Sequence, residues 1–315
     1  MRVVDLFSGC GGLSLGFEKA GFEVVAAFDN WKEACAVYAV NFKHPVFERD
    51  LSALSDTQFI KNYCPDILIG GPPCQDFSSA GKRDETLGRA DLTLSFASIV
   101  ADVQPEWFVM ENVERIQTSC ALQKAISLLK SCGYGLSQVV LQASYCGVPQ
   151  SRKRFFMVGH MGTDDHFLDG YFEKNLAKKP MTVYEYLGDT LPLEHYYRHP
   201  RSYARRAIYS VHEPSATIRG VNRPVPPNYQ PHAGDTCEPS PALRPLTTKE
   251  RSLIQTFPEM FRWVGSKTHT EQLIGNAVPV NLAWYVANCI QAYIADPTQA
   301  GTNAPDAVGQ LELFA

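Results

Sequence analysis

One cysteine of this chain stands in a setting that suits covalent chemistry. Cys74 follows Pro72 and Pro73, which are separated by Gly71 alone from the apolar run DILIG (66–70). A short apolar run is typical of a buried strand, and prolines rarely continue a central strand, so we expect Cys74 on a stiff loop at the strand's carboxyl end. Ligands of open α/β sheets bind in the crevice at that end. A thiol held there is a candidate nucleophile, because its thiolate form attacks electron-poor carbon.

The other eight cysteines are interpreted as small buried hydrophobic side chains, which is the usual state of a lone cysteine. The total of nine is odd and the chain has no Cys-x-x-Cys pair, so the sequence predicts no disulfide framework and no metal site. The chain shows no secretory signal and no apolar run of membrane-spanning length. These features favour a cytoplasmic protein in a reducing compartment, without a membrane partner.

Two further segments carry groups that could assist a nucleophile. Glu111 opens ENV (111–113) directly after the apolar run EWFVM. A carboxyl group at a strand end beside apolar walls can have a raised pKa and act as an acid. QSRKR (150–154) places Arg152 and Arg154 on one side of an extended chain. Taken singly, a surface carboxylate and a basic strand entry explain these residues equally well.

The N-terminal segment DLFSGCGGLSLGF (5–17) predicts a small-molecule site where a strand turns into a helix. The glycines that would let the backbone turn and approach a ligand are Gly9, Gly11 and Gly12. Asp29 ends the next strand, where an acidic residue can accept hydrogen bonds from ribose hydroxyls, and Asp50 follows a third strand-like segment. Ser14 breaks the G-x-G-x-x-G spacing of dinucleotide enzymes, so a nucleoside cofactor without a pyrophosphate fits better.

The charge of the chain is unevenly distributed. The net charge of −4 argues against a nucleic-acid partner, but residues 196–232 hold six arginines against a single acidic residue. The arginines are Arg198, Arg201, Arg205, Arg206, Arg219 and Arg223. A local basic stripe bears on binding more than the net charge does, although a solvated face explains it equally well.

The sequence pattern predicts that the elements carrying these residues form a doubly wound α/β sheet. Six short apolar runs alternate with stretches of helical spacing over residues 1–160. The runs begin at residues 2, 23, 66, 106, 138 and 154, and the helical stretches cover 12–20, 31–40, 92–103 and 121–131. Later helices are predicted at 247–258 and 279–294, the second packing back on the first domain.

The pattern divides the chain into a catalytic and cofactor-binding domain and a smaller irregular one. We expect the first to comprise residues 1–160 and 268–295, and the second to comprise 161–267, of which residues 161–243 are rich in Pro, Tyr, His and Arg. The tail, 296–315, is expected to be mobile.

Six motifs of this chain occur in the order found in one enzyme family. They are DLFSGCGG, GGPPCQDFS, ENV, QSRKR, RPLTTKE (244–250) and QLIGNAVP (272–279). This series resembles that of the DNA (cytosine-5)-methyltransferases of bacterial restriction-modification systems, over residues 3–295. The resemblance implies a Rossmann-like S-adenosylmethionine-dependent methyltransferase sheet with a smaller target recognition domain, which coincides with the arginine-rich stretch.

The resemblance assigns roles to individual residues. The cofactor pocket would comprise Phe7, Gly9, Gly11, Gly12, Asp29, Trp31, Asp50, Pro72, Leu92 and Asn276. Cys74 would be the nucleophile, Glu111 and Arg154 would hold the target cytosine, and Arg152 would support Cys74 and its loop. The residues facing DNA would be Gln75 and Ser78, with Arg89 at the far end of that loop and Arg219, Asn222 and Arg223 as base readers. The chain departs from the family at Asp29, where glutamate is more common, and at Ala90, where glycine is usual.

The implied activity is methyl transfer from S-adenosylmethionine to carbon 5 of a cytosine in duplex DNA, by base flipping and a covalent cysteine adduct. We expect a monomer that acts beside a companion restriction endonuclease without contacting it. The alternatives are a tRNA cytosine-5 methyltransferase with the same motifs and a catalytically inactive DNA-binding relative. A nicotinamide-dependent oxidoreductase is disfavoured because its pyrophosphate glycine pattern is missing.

Overall fold

The computed structural model describes residues 1–52, 56–73, 92–200, 202 and 205–297. The strands are β1 (Arg2–Leu6), β2 (Glu23–Asp29), β3 (Val46–Glu48), β4 (Ile67–Gly70), β5 (Trp107–Val113), β6 (Tyr134–Gln142), β7 (Gln150–Ser151), β8 (Lys153–Met161), β9 (His195–Tyr197), β10 (Ile208–Ser210) and β11 (Ser215–Ala216). The helices are α1 (Gly12–Lys19), α2 (Lys32–Ala39), α3 (Gln58–Lys61), α4 (Leu92–Val103), α5 (Cys120–Ser131), α6 (Asp169–Lys174), α7 (Val183–Leu187), α8 (Thr248–Ile254), α9 (Lys267–Asn276) and α10 (Val280–Ala295).

Seven strands form one mixed sheet in the order β3-β2-β1-β4-β5-β8-β6. The first five are parallel, while β8 runs antiparallel to both β5 and β6. The predicted α/β sheet is confirmed, and each of the six apolar runs supplies a strand. The antiparallel insertion of β8 was not predicted. The link from β6 to β8 lacks the long crossover helix that a parallel pair requires, so the chain returns antiparallel.

Hydrophobic side chains cover both faces of this sheet. On one face, Phe17 of α1 and Val286 of α10 belong to the same buried cluster as Phe156 of the sheet. On the other, Phe96 of α4 packs in a cluster with the sheet residue Phe108. As the apolar spacing predicted, α10 packs back on the first domain. The helical stretch Lys267–Ala295, which comprises α9 and α10, has the length and mean hydropathy of a membrane span, but 83% of its most apolar window is buried inside the fold, as in the core of a water-exposed domain.

The region 161–267 is irregular, as its composition predicted, and contains short helices and strand pairs. Strands β9 and β10 form an antiparallel pair, and β11 pairs in parallel with β7, which immediately precedes β8. The predicted helix at 247–258 begins as expected, since Thr247 caps α8 with a reciprocal bond to Glu250. The helix stops at Ile254, because Thr256 adopts a φ of 61° that an α-helix cannot contain.

Candidate active site

The carboxyl ends of three neighbouring strands meet at one edge of the sheet. Leu6 of β1 pairs with Gly70 of β4, and Gly70 pairs with Met110 of β5. The register therefore places the next residues of each strand side by side, as the crevice of an open α/β sheet requires. The predicted site residues Cys74, Gln75 and Ser78 follow β4 but lie outside the described residues, as does Arg89.

Glu111 and Arg154 form a buried ion pair at this edge. The Arg154 Nε lies 2.8 Å from the Glu111 Oε1, and only 15% and 10% of the two side chains are exposed. The pairing follows from the sheet, because β8 runs antiparallel to β5 and Arg154 lies opposite Val113, two residues beyond Glu111. Burial raises the pKa of Glu111, and the charge of Arg154 opposes that shift. The pair can hold a planar polar ring, and the raised pKa makes the carboxyl group readier to take up a proton than an exposed glutamate is.

The loop that leads toward Cys74 is tied to the strand that carries Glu111. Asn112 donates a hydrogen bond of 3.0 Å from its Nδ2 to the carbonyl of Pro72, and both residues are buried. A Cβ built on Gly71 would lie 3.2 Å from the Glu111 Oε2, so the carboxyl group lies against the Gly71 backbone. Sequence reasoning assigned no role to Asn112, although its place in ENV directly after Glu111 could have drawn attention to it.

Arg152 occupies a different place from its neighbour Arg154. Its guanidinium is buried and donates to the carbonyls of Ile218, Gly275 and Ala277, at 3.0, 3.1 and 3.1 Å. These carbonyls belong to the segment after β11 and to the α9–α10 junction. The side chain therefore joins the irregular region to the sheet domain. The sequence-based role beside Cys74 and its loop stays a prediction, because that loop lies outside the described residues.

The glycine segment and the end of β2 form a second part of the site, beside the strand edge. Asp29 accepts 2.7 Å and 2.8 Å hydrogen bonds from the backbone N–H groups of Gly9 and Trp31. Burial raises the pKa of Asp29, and these backbone donors oppose the shift. Gly9 has a φ of 55° and open space where a Cβ would stand. A polar nucleoside can approach the backbone closely there and meet the carboxylate.

The two following glycines meet protein atoms instead of open space. A Cβ on Gly11 would lie 2.4 Å from the Phe42 ring, and a Cβ on Gly12 would lie 2.3 Å from the Val278 carbonyl oxygen. The absence of a side chain at both positions therefore has a packing reason, whatever ligand binds. Their contact with a cofactor stays a prediction.

The remaining predicted cofactor residues differ in their exposure. Phe7 and Trp31 are half-buried, and Leu92 begins α4 and is buried. Asp50 is exposed and lies two residues beyond the end of β3, while Asn276 is exposed at the end of α9.

A buried polar chain lies behind the glycine segment and was missed from the sequence. Ser14 donates a 2.6 Å hydrogen bond to the Oδ2 of Asp5, and Tyr38 donates to the Ser14 hydroxyl at 2.6 Å. The Tyr38 hydroxyl also lies 2.7 Å from the Nε2 of His44. Burial raises the pKa of Asp5 to about 8. The aspartate that opens the DLF motif was the available signal, since a charged residue inside an apolar strand needs a partner.

The arginines of the predicted basic stripe have unequal environments. Arg206 forms a bidentate ion pair with Glu213, at 3.1 and 2.6 Å, and Arg198 donates to the Thr217 carbonyl at 2.8 Å. Arg205 is exposed, whereas Arg201 lies outside the described residues. Part of the stripe thus stabilises the irregular region itself.

Two of the three predicted base readers line a small pocket beside α8. Arg219 and Asn222 line it together with Arg198 and Arg251. The Asn222 amide donates 2.7 Å to the Leu246 carbonyl, and the Arg219 guanidinium donates to the His199 carbonyl. Arg223 is exposed to solvent. The structure therefore engages Asn222 in internal bonding and leaves Arg223 at the surface.

Known proteins resemble this chain over nearly its whole length. The family model of the C-5 cytosine-specific DNA methylases matches residues 1–292. Type II methyltransferase M.HgiDI of Herpetosiphon aurantiacus is 57% identical over 298 residues, which cover 94% of this chain and 96% of that protein. Type II methyltransferase M.HindV of Haemophilus influenzae is 56% identical over 305 residues, covering 95% and 99%. Among solved structures, the S. pombe Dnmt2 methyltransferase superposes with a TM-score of 0.68 at 18% identity, covering 93% and 98%, and shares the fold.

Proposed function

The chain belongs to the C-5 cytosine-specific DNA methylase family, and we propose that it methylates a cytosine of duplex DNA through a flipped base and a covalent adduct with Cys74. The buried pair of Glu111 and Arg154 carries this proposal. It lies at the carboxyl edge of the sheet, against Gly71 of the segment that leads to Cys74. An acid, a planar cation donor and a thiol are the three groups that activation of a cytosine ring needs.

The chemistry assigns each group one task. Carbon 5 of cytosine is a weak nucleophile until the Cys74 thiolate adds to carbon 6, which makes the ring enamine-like. Negative charge then develops toward ring nitrogen 3, where a protonated Glu111 stabilises it by donating a hydrogen bond. Arg154 would reach the carbonyl oxygen of the same ring. Carbon 5 takes up the methyl group and loses its proton, and elimination of Cys74 restores the aromatic ring.

The burial of Glu111 supports this assignment. An exposed glutamate is ionised near neutral pH and cannot donate a proton, whereas burial raises the pKa of Glu111. The charge of Arg154 lowers the same pKa. The protonation of Glu111 therefore depends on the balance of these two effects, which a bound base would change. A target base inside a duplex cannot reach such a buried pair, and flipping it out costs a few kcal/mol, about what new pocket contacts can repay.

The residues at the glycine segment fit S-adenosylmethionine. This cofactor supplies a methyl group bound to a positively charged sulfur, and it carries a ribose and an adenine but no pyrophosphate. Asp29 offers a carboxylate already fixed by the backbone of Gly9 and Trp31, which suits the two ribose hydroxyls. The open space beside Gly9 admits a ligand against the backbone.

Several wider features belong to the same proposal. Residues 161–267 would recognise the target sequence, with the exposed Arg223 nearer the bases than Arg219 and Asn222, which both donate to backbone carbonyls. The protein would act as a cytoplasmic monomer and would protect DNA from a companion endonuclease with the same target. Digestion of DNA from cells that express the chain, followed by bisulfite sequencing, would identify that target.

Methyl transfer with a mechanism-based trap tests the proposal. The purified protein, with radiolabelled S-adenosylmethionine, is expected to label duplex DNA and not tRNA. Duplexes that contain 5-fluorocytosine should trap it covalently, because fluorine at carbon 5 cannot leave as a proton does. Peptide mapping should locate the adduct at Cys74, and Cys74→Ser should abolish turnover while it retains cofactor binding. Labelling of tRNA alone, or an adduct at another cysteine, would contradict the proposal.

A further inference from the structure

Two glutamines form a buried relay between the irregular region and the end of α9. Gln150 and Gln255 are both fully buried, and the Gln150 Nε2 donates to the Gln255 Oε1 at 2.7 Å. The Gln255 Nε2 in turn donates to the carbonyls of Ile274 and Ala277. At the other end, the Gln150 Oε1 accepts 2.9 Å from the backbone N–H of Ile218. Two side-chain amides thus connect residue 218 with residues 274–277.

The Ile218 backbone is held from both sides. Its N–H bonds Gln150, while its carbonyl accepts from Arg152, whose guanidinium also bonds the carbonyls of Gly275 and Ala277. Both routes therefore end on the carboxyl end of α9 and the residue that follows it. The carbonyls at a helix end have no partner within the helix. The side chains of Gln255 and Arg152 therefore satisfy carbonyls that would otherwise be buried without a hydrogen bond.

The backbones at this junction touch closely enough to transmit a movement. A Cβ on Gly275 would lie 2.1 Å from the backbone nitrogen of Gly220, so the end of α9 lies directly on the segment after Ile218. On its other side, the α9–α10 junction touches the glycine segment, because a Cβ on Gly12 would lie 2.3 Å from the Val278 carbonyl oxygen. Packed backbone of this kind has no slack, so a displacement on one side must be accommodated on the other.

The two ends of the relay adjoin the two binding regions of the proposed enzyme. Ile218 immediately precedes Arg219, which belongs to the segment proposed to meet the bases. Residues 274–277 include Asn276, and Val278 touches Gly12 of the proposed cofactor segment. A shift of the 218–223 segment on DNA would therefore either carry the end of α9 with it or break buried hydrogen bonds.

We propose that Gln150 and Gln255 are positioning residues that couple binding of the DNA target to binding of the cofactor. The inference rests on the proposed function, because it needs both ligands. It concerns residues that touch neither ligand in the proposed site, and it predicts a thermodynamic property: the duplex and the cofactor tighten each other's binding by the same factor.

The test measures that factor by calorimetry with the full chain. S-adenosylhomocysteine serves as the cofactor probe, since it cannot be turned over, and the duplex is one that the wild-type protein methylates. The coupling factor is the ratio of the S-adenosylhomocysteine Kd without and with this duplex. We expect about 5-fold or more for the wild type. Gln255→Met keeps the side-chain volume but ends the relay. The Arg152 bonds and the Gly275–Gly220 contact remain in this variant, so its factor should fall at least twofold below the wild-type value without vanishing.

A matched control separates coupling from stability. Tyr134→Phe also preserves volume and deletes one buried hydrogen bond, from Tyr134 to the Pro105 carbonyl, but within the sheet domain alone. It should lose stability and keep the wild-type coupling factor. Gln150→Met removes the hydrogen bonds of residue 150 to Ile218 and Gln255, and it should reproduce the Gln255→Met result. The test therefore stays decisive if one of the two variants fails to fold.

The outcomes distinguish this inference from the proposed function. A wild-type protein that methylates no duplex refutes the proposed function. A wild type that methylates DNA without mutual tightening refutes the coupling alone. The coupling role of the two glutamines is also refuted if the folded glutamine variants keep the wild-type coupling factor. It is refuted as well if Tyr134→Phe lowers that factor as much as the glutamine variants do.

Discussion

The three glycines after β1 should respond differently to alanine, because their surroundings differ. Gly9 has a φ of 55° and open space beside its Cα, whereas a methyl on Gly12 would lie 2.3 Å from the Val278 carbonyl oxygen. Gly11 combines a φ of 92° with a potential 2.4 Å contact to the Phe42 ring. Only at Gly9 would the added methyl enter the space proposed for the cofactor.

The magnitudes follow from these contacts. Gly9→Ala must place an L-residue in the left-handed region, which costs about 1–2 kcal/mol of stability. Gly12 is the first residue of α1, so Gly12→Ala should stabilise the helix by about 1 kcal/mol through its higher helix propensity. Displacing the Val278 carbonyl in a packed interior should cost about 1–3 kcal/mol, which opposes that gain. Gly11→Ala incurs the conformational cost and the ring overlap together. We therefore expect Gly11→Ala to be the least stable of the three.

Cofactor affinity should follow a different order from stability. Gly9→Ala should bind S-adenosylhomocysteine about tenfold or more weakly, which corresponds to about 1.4 kcal/mol, because its methyl occupies the open space. Urea denaturation of the free protein gives the stability of each variant, and calorimetry gives the affinity. If Gly9→Ala bound S-adenosylhomocysteine as the wild type does, the cofactor would not approach the backbone at Gly9, and the reasoning would be refuted.

Three further predictions concern other groups. Glu111→Gln should lower single-turnover methylation by about 10²–10⁴-fold while duplex affinity changes far less, and a wild-type rate would exclude Glu111 as the acid. Burial raises the pKa of Asp5 to about 8, so the folded state binds the Asp5 proton more tightly than the unfolded state does. The free energy of unfolding should therefore fall as pH rises from about 4 to 8, by at most about 1.4 kcal/mol per pH unit. Asp5→Asn should flatten that dependence in urea titrations at several pH values, and an unchanged slope would contradict it. Arg205→Ala should reduce the salt slope of duplex binding by about one without loss of stability, whereas Arg206→Ala should chiefly lower stability, since Arg206 pairs with Glu213; equal effects on both properties would refute this division.

Local patterns were sufficient to predict the elements that carry the site. The apolar runs at residues 2, 23, 66, 106, 138 and 154 became strands, and the predicted helix at 92–103 coincides with α4. Burial on both faces of a sheet requires continuous apolar runs, so such strands can be recognised without knowledge of their partners. The position of β8 between β5 and β6 could not be recognised, because strand order depends on contacts between residues far apart in sequence.

Charge patterning shows the limit of sequence reasoning more sharply. Six arginines in 37 residues suggested one basic face, yet Arg206 is paired with Glu213 and Arg198 bonds a backbone carbonyl. A composition count cannot tell a charge that folds a domain from one that meets DNA, since the difference lies in where the partner is in space. The same holds for Asn222, whose amide the fold uses internally.

The sequence by itself determined the α/β class, the family resemblance and the acid and arginine that the sheet brings together. Those features depend on residue types at short spacing, which the chain carries in one dimension. Only the tertiary structure decided that Glu111 and Arg154 are within 2.8 Å, that Gly12 serves packing, and that a buried relay of two glutamines joins residue 218 to the end of α9. Such contacts join residues tens to hundreds of positions apart, and whether they form depends on the packing of the whole interior, which no local pattern encodes.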